Sequence, residues 1–171
     1  MSSIEPPGFA SAPKTIDEAR FRQVLGHFAT GVTVVTCLAG ERPIGLAVNS
    51  FTSVSLDPPL VAFCVSTAST TWPQLRAVGA FCVNILGEDQ EALSRVFATH
   101  GLDRFLGVGW RPSSSGAPVL NDVLAWVDCT VEAEYPAGDH LIVVGRVREL
   151  ALAHEGRPLV FYRGGYGRFE P

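Results

Sequence analysis

Hydrophobic and polar positions along the chain change period several times, and each change marks an element. Ile16, Phe21, Val24, Leu25 and Phe28 recur at helical spacing, which predicts an amphipathic helix over Ile16–Phe28. Thr15 and Glu18 read as a capping box at its start, and Thr30-Gly31 ends it. β-Branched residues then dominate, predicting a strand over Val32–Leu38. Gly40–Pro43 turns the chain into a second strand, which begins at Ile44 and reads on through N-S-F-T-S-V-S. Alternation there puts Asn49, Phe51, Ser53 and Ser55 on one face, and Ser50, Thr52 and Val54 on the other. Pro58 and Pro59 break the ladder, since neither can donate to it.

The run L-V-A-F-C-V-S is continuously apolar, as in a strand buried on both faces. A short helix starts near Thr70 or Thr71, F-C-V-N-I-L gives another buried strand, and E-D-Q-E-A-L-S-R-V-F a helix with an acidic first turn. His100–Ala117 is rich in Gly, Ser and Pro and reads as a long surface loop. Two long strands follow around P-A-G-D. In the first, Trp126, Asp128, Thr130, Glu132 and Glu134 form a wet face; in the second, Gly145 marks a bulge. P-L-V-F-Y is the last strand, with R-G-G-Y-G-R-F-E-P as a glycine-rich tail, Tyr162 a core aromatic and Tyr166 a rim one. Helices are too few for a βαβ alternation, so the pattern predicts a mainly β fold, a β-barrel decorated by a few helices.

Composition narrows the class. With 171 residues, 47% of them hydrophobic, the chain forms one domain over residues 15–171, preceded by an arm over residues 1–14 that reads as disordered and not as a signal peptide. A formal charge of -4 without basic runs argues against nucleic acid, and no apolar run is long enough for a membrane helix. Cys37, Cys64, Cys82 and Cys129 lack paired spacing and read as buried free thiols in a reducing cytoplasm.

The familiar catalytic motifs are missing. Gly107–Pro112 is a fragment of a dinucleotide fingerprint outside any strand–turn–helix context, and no G-x-S-x-G elbow occurs. His27, His100, His140 and His154 are scattered, so no metal site is expected. Three hydroxyl-rich segments remain: Thr30, Thr33 and Thr36; the Asn49–Ser55 stretch; and Ser66, Thr67, Ser69, Thr70 and Thr71 before a helix start. The last suits a phosphate as well as it suits simple helix capping.

A-T-G-V-T-V-V-T, G-L-A-V-N-S-F-T-S-V-S-L-D-P-P-L-V, F-C-V-N-I-L, G-D-H-L-I-V-V-G-R-V and P-L-V-F-Y-R-G-G-Y, in that order, resemble the short-chain flavin reductase family from about Phe21 to Tyr166. The resemblance implies an FMN-binding split β-barrel of Greek-key type, usually a homodimer, in which NADH or NADPH reduces FMN or FAD for a partner monooxygenase. It implies that Thr30, Gly31, Val32 and Thr33, with Asn49, Ser50, Phe51, Ser53, Val54 and Ser55, border the flavin ring and ribityl chain. Ser66, Ser69, Thr70 and Thr71 would hold the phosphate, and His140 with Arg163, Gly164 and Tyr166 would border the nicotinamide nucleotide. No catalytic acid or nucleophile is required, since the cofactors carry the hydride chemistry. Without the resemblance, His140 reads as a surface residue at a strand start after a turn; with it, the alternative to a nicotinamide-pocket role is a turn-stabilising histidine. T-A-S-T-T departs from the pattern by lacking a basic residue beside the phosphate-binding serine. The alternatives are a non-catalytic flavin-binding module and an oxidase of the pyridoxine-phosphate type, the latter disfavoured by the missing base.

Overall fold

The computed structural model describes residues 16–99, 101 and 103–170. Seven strands form one antiparallel sheet in the order β3 (Arg42–Val48), β2 (Thr33–Ala39), β6 (Ala80–Ile85), β9 (Ala125–Ala137), β10 (His140–Leu152), β5 (Pro59–Ser66) and β4 (Thr52–Leu56). β6, β9 and β10 are successive neighbours, and β5 returns to lie beside β10, which is the Greek-key arrangement expected. β1 (Thr30–Gly31), β11 (Leu159–Tyr162) and β12 (Gly165–Arg168) form a separate sheet. Among the described residues, three short helices decorate the strands: α1 (Glu18–Leu25), α2 (Trp72–Val78) and α3 (Glu91–Ala98). The main core joins Val35, Phe63, Trp72, Leu75, Phe81 and Val143. β10 can cross closely over Phe81 because residue 145 is glycine: a Cβ there would stand 2.5 Å from the Phe81 ring, and the register shifts at that point, as predicted.

Several expectations need correction. The capping Thr15 lies outside the described residues; the helix starts at Glu18, with Asp17 accepting from Ala19 and Arg20 N–H groups. The second strand is two strands, β3 and β4, at opposite edges of the sheet, and a bulge between Ser53 and Ser55 disrupts the predicted alternation. N-S-F carries strand-like residues, but Asn49–Phe51 leave the ladder. The predicted loop at His100–Ala117 contains β7 (Trp110–Pro112), which pairs with β8 (Pro118–Leu120). That hairpin covers one end of the β9 face expected to be wet, so Trp126 and Asp128 are buried. Asp128 accepts from Ser114 Oγ, Ser115 N–H and Ser115 Oγ at 2.6–3.1 Å, which satisfies its carboxylate. The glycine-rich tail forms β12, and Tyr162 is exposed at the edge of His27 instead of sitting in the core. Cys37, Cys82 and Cys129 are buried, whereas Cys64 is exposed.

Candidate functional site

The break between β3 and β4 makes a cavity. Ser50 replaces a ladder rung there: its Oγ accepts from Cys64 N–H at 2.8 Å and donates to Cys64 C=O at 3.2 Å. The backbone on either side is thus held apart without being closed. Leu46, Ala47, Val65 and Phe97 contribute apolar lining to the cavity, of about 320 Å³; Asn49, Ser50, Ser66, Ser69, Thr71, Arg104 and His140 bring polar groups to it.

One wall is tied together by the turn between β9 and β10. Thr67 donates from its N–H and its Oγ to Asp139 C=O at 2.9 and 3.0 Å, docking the serine-rich loop onto that turn. His140 then falls opposite Ser66 in the β10–β5 register, and its Nδ1 lies 2.8 Å from Asp139 Oδ1. That hydrogen bond holds the Asp139 carboxyl below the usual carboxylate range. Ser69 Oγ accepts from Trp72 N–H at 3.1 Å, so part of the hydroxyl cluster does cap α2, as the simpler alternative required.

The base that T-A-S-T-T lacks comes from elsewhere. Arg104, in the segment before β7, donates from Nη1 to Gly45 C=O at 2.6 Å and to Thr71 Oγ at 3.1 Å, and from Nε to Thr99 C=O at 2.9 Å. Desolvation lowers its pKa from the ordinary guanidinium value, and no carboxylate pairs with it among the described residues. Residue-by-residue reading missed Arg104 because it sits in the Gly/Ser/Pro-rich stretch; the only signal was a basic residue inside a loop too long to be idle.

The other predicted site residues divide. Val32, Asn49 and Tyr166 line an adjoining cavity of about 230 Å³, with Tyr166 OH and Ser94 Oγ 2.9 Å apart. Thr70 and Thr71 line a cleft of about 710 Å³ on the far side of Arg104. Arg163 and Gly164 line a different cleft, against α1 and His27. Thr33 is buried with its Oγ donating to Val48 C=O at 2.9 Å. Thr30 and Gly31 pair with Phe161 and Val160, Phe51 packs against the main core, and Ser53, Val54 and Ser55 lie on the edge strand β4.

A cavity lined by apolar side chains together with hydroxyls, a cation and a histidine suits a flavin, whose ring needs apolar surface and whose phosphate needs polar partners. The fold and cavity therefore define a flavin-binding split barrel. Residues 25–170 match the flavin reductase-like domain. Over the whole chain, 43% of residues are identical to the reductase subunit of a flavin-dependent monooxygenase from Rhodococcus jostii, of which 87% is covered. Among solved structures, component B of a nitrilotriacetate monooxygenase from Mycobacterium thermoresistibile superposes with a TM-score of 0.88 at 46% identity, over 90% of this chain and 87% of that one. The NADH:FAD oxidoreductase of Streptomyces globisporus, in complex with NAD and FAD fragments, gives 0.85 at 40% identity, over 91% and 94%. The chain belongs to the flavin reductase family, and it is an oxidoreductase.

Proposed function

We propose that this chain takes hydride from NADH or NADPH, passes it to FMN or FAD, and releases the reduced flavin to a separate monooxygenase. One observation carries the reading: a single cavity is lined by Ser66, Ser69, Thr71 and Arg104 and by His140, the cross-strand neighbour of Ser66. When bound, the flavin accepts the hydride and carries the redox chemistry. The chain's own residues bind and orient. Ser66, Ser69, Thr70 and Thr71 hold the phosphate, and Arg104 supplies the charge that these hydroxyls lack. Asn49 and Ser50, outside the ladder, present polar groups to the ring, and Val32 and Tyr166 extend the wall. His140, fixed by Asp139, borders the nicotinamide. Arg163 and Gly164 reach that nucleotide only from their separate cleft, so their part is an outer one.

The chain works as a homodimer in the cytoplasm. Support comes from apolar side chains a single copy leaves in water: Phe21, Val24 and Leu25 on α1, Leu56 on β4 and Leu152 on β10 are each more than half exposed. No helix among the described residues is long and apolar enough to cross a membrane.

Loss of NADH or NADPH absorbance on adding FMN, FAD or riboflavin tests the activity. Oxidation that depends on added flavin supports it; flavin binding without oxidation by either nucleotide would make the chain a non-catalytic module. Light scattering tests the assembly, where a monomer at micromolar concentration would refute the dimer.

A further inference from the structure

Thr67 is the one hydroxyl residue of the serine-rich loop that works away from the cavity. Ser66, Ala68 and Ser69 line the space that His140 also lines, whereas Thr67 is turned from it toward Asp139. The rest of the loop closes on itself: Ser69 N–H donates to Ser66 C=O at 3.0 Å, and Ala68 N–H to Ser66 Oγ at 3.2 Å. Beyond the β10–β5 ladder, both bonds from the loop to the β9–β10 turn among the described residues belong to Thr67. Its N–H and its Oγ converge on the single carbonyl of Asp139.

That carbonyl belongs to the peptide unit from which His140 springs. The unit is planar, so fixing the direction of Asp139 C=O also fixes the His140 N–H and Cα. A carbonyl oxygen has two lone pairs, and Thr67 supplies a donor to each. Asp139 Oδ1 then meets His140 Nδ1 at 2.8 Å and holds the ring itself. Other restraints are weak here. His140 is the terminal rung of both its ladders, where strands open most easily. The Asp139 side chain is 93% exposed and that of His140 45%, so hydrogen bonds rather than a surrounding core decide where the ring points.

We propose that Thr67 is a positioning residue for the hydride-transfer step: through Asp139 it sets the ring of His140 for the nicotinamide. This assignment rests on the reading that His140 borders that nucleotide. Thr67 lines no part of the cavity, so its effect reaches the nucleotide only by way of the His140 ring.

Thr67→Val keeps the side-chain shape and the backbone N–H bond but removes the hydroxyl, whereas Thr67→Ser keeps the hydroxyl. The first readout needs no turnover. In NMR spectra of the flavin-free chain, the His140 imidazole C–H signals are identified by their loss in His140→Ala. They should move in Thr67→Val and return in Thr67→Ser, with the His27 and His154 signals unmoved. The second readout is kinetic, at saturating flavin. Thr67→Val should raise the nicotinamide KM about threefold and leave flavin affinity unchanged, and Thr67→Ser should match the wild type. Added to His140→Ala, Thr67→Val should raise the KM no further, because the two act through one ring. An unmoved His140 signal in Thr67→Val, or an unchanged KM where His140→Ala raises it, overturns the proposal and leaves the nicotinamide site standing. So does a KM rise of the same factor with and without His140, or an equal loss of flavin affinity, which would mean that the whole loop had loosened. If His140→Ala itself keeps the wild-type KM, the nicotinamide reading fails and this proposal with it.

Discussion

Arg104 and Arg146 carry the same guanidinium under opposite conditions. Arg146 on β10 faces Glu132 on β9 and meets it through two bonds, Nε to Oε2 at 2.7 Å and Nη2 to Oε1 at 2.6 Å. Donating to Glu132 raises the Arg146 pKa, and accepting those bonds lowers that of Glu132. Among the described residues Arg104 has no such partner, and desolvation moves its pKa the other way. A surface cation with its own carboxylate is electrostatically complete. One withdrawn from water and offered only neutral acceptors is not, and its deficit is best met by a ligand that brings negative charge. The difference separates a cation that serves the fold from one that serves a site, although both are arginines in a sequence.

The largest expected effect sharpens that contrast through groups that escape burial by staying neutral, which arginine cannot do. Burial pushes the Cys37 thiol up to about 11 and the Cys129 thiol up to about 12, with Cys82 raised further. Their folded-state values are raised, so this stabilisation is complete below the ordinary thiol range and is lost as pH rises through the raised values. Stability should therefore fall above about pH 9, by about 1.4 kcal/mol per pH unit for each buried thiol. Denaturant titrations across that range check it, and Cys129→Ala should flatten the slope by one thiol's share. A stability independent of pH above 9 would falsify the burial account.

The next effect bears on the incomplete cation itself. Thr71→Val keeps the side-chain shape but removes the hydroxyl that Arg104 Nη1 meets at 3.1 Å. FMN should bind about tenfold more weakly, and riboflavin, which has no phosphate, should be unchanged. If both flavins respond alike, the phosphate end lies elsewhere and the comparison with Arg146 loses its meaning.

Arg104 also marks where sequence reasoning stops. The β9–β10 ribbon and the Gly145 bulge were legible, because β-branched runs and a glycine turn are local signals. The Ser66–Thr71 cluster was legible for the same reason. The break at Asn49–Phe51 was not, since strand-like residues there leave the ladder and Ser50 bonds Cys64 from its side chain. Nor was the covering of Trp126 and Asp128, which depends on a hairpin formed within a stretch of loop composition. Arg104 was invisible because its partners Gly45 and Thr71 are distant in sequence, and only the folded chain brings a cation to hydroxyls whose own segment has none.

A smaller effect is expected at His140. It lies in the same cavity wall as Ser66, yet its ring is held by Asp139 and not by Arg104. His140→Ala should raise the nicotinamide KM about fivefold, the cost of one neutral contact, with flavin affinity unchanged. Steady-state kinetics with varied NADH at saturating flavin decides the point. An unchanged KM would make His140 a turn residue, ordered by Asp139 for the fold alone.

The smallest effect is expected on the other side of the comparison. Arg146→Ala removes a guanidinium whose side chain, like that of Glu132, is 36% exposed, so both charges retain much of their hydration after the loss. The thermal midpoint should shift by no more than about 3 °C, and riboflavin, FMN and FAD should bind as they do to the wild type. The remaining Glu132 would return toward the ordinary carboxylate range, because the bond from Arg146 is the largest cause of its lowered pKa. Whatever the pair contributes is present above the ordinary glutamate range and is lost as pH falls through the lowered value. The small wild-type difference should therefore vanish in acid, and salt should shrink it at neutral pH. Flavin affinity that fell as far in Arg146→Ala as in Thr71→Val would show that a paired surface cation can serve the site after all, and that the lack of an ion pair at Arg104 among the described residues is no guide to its role.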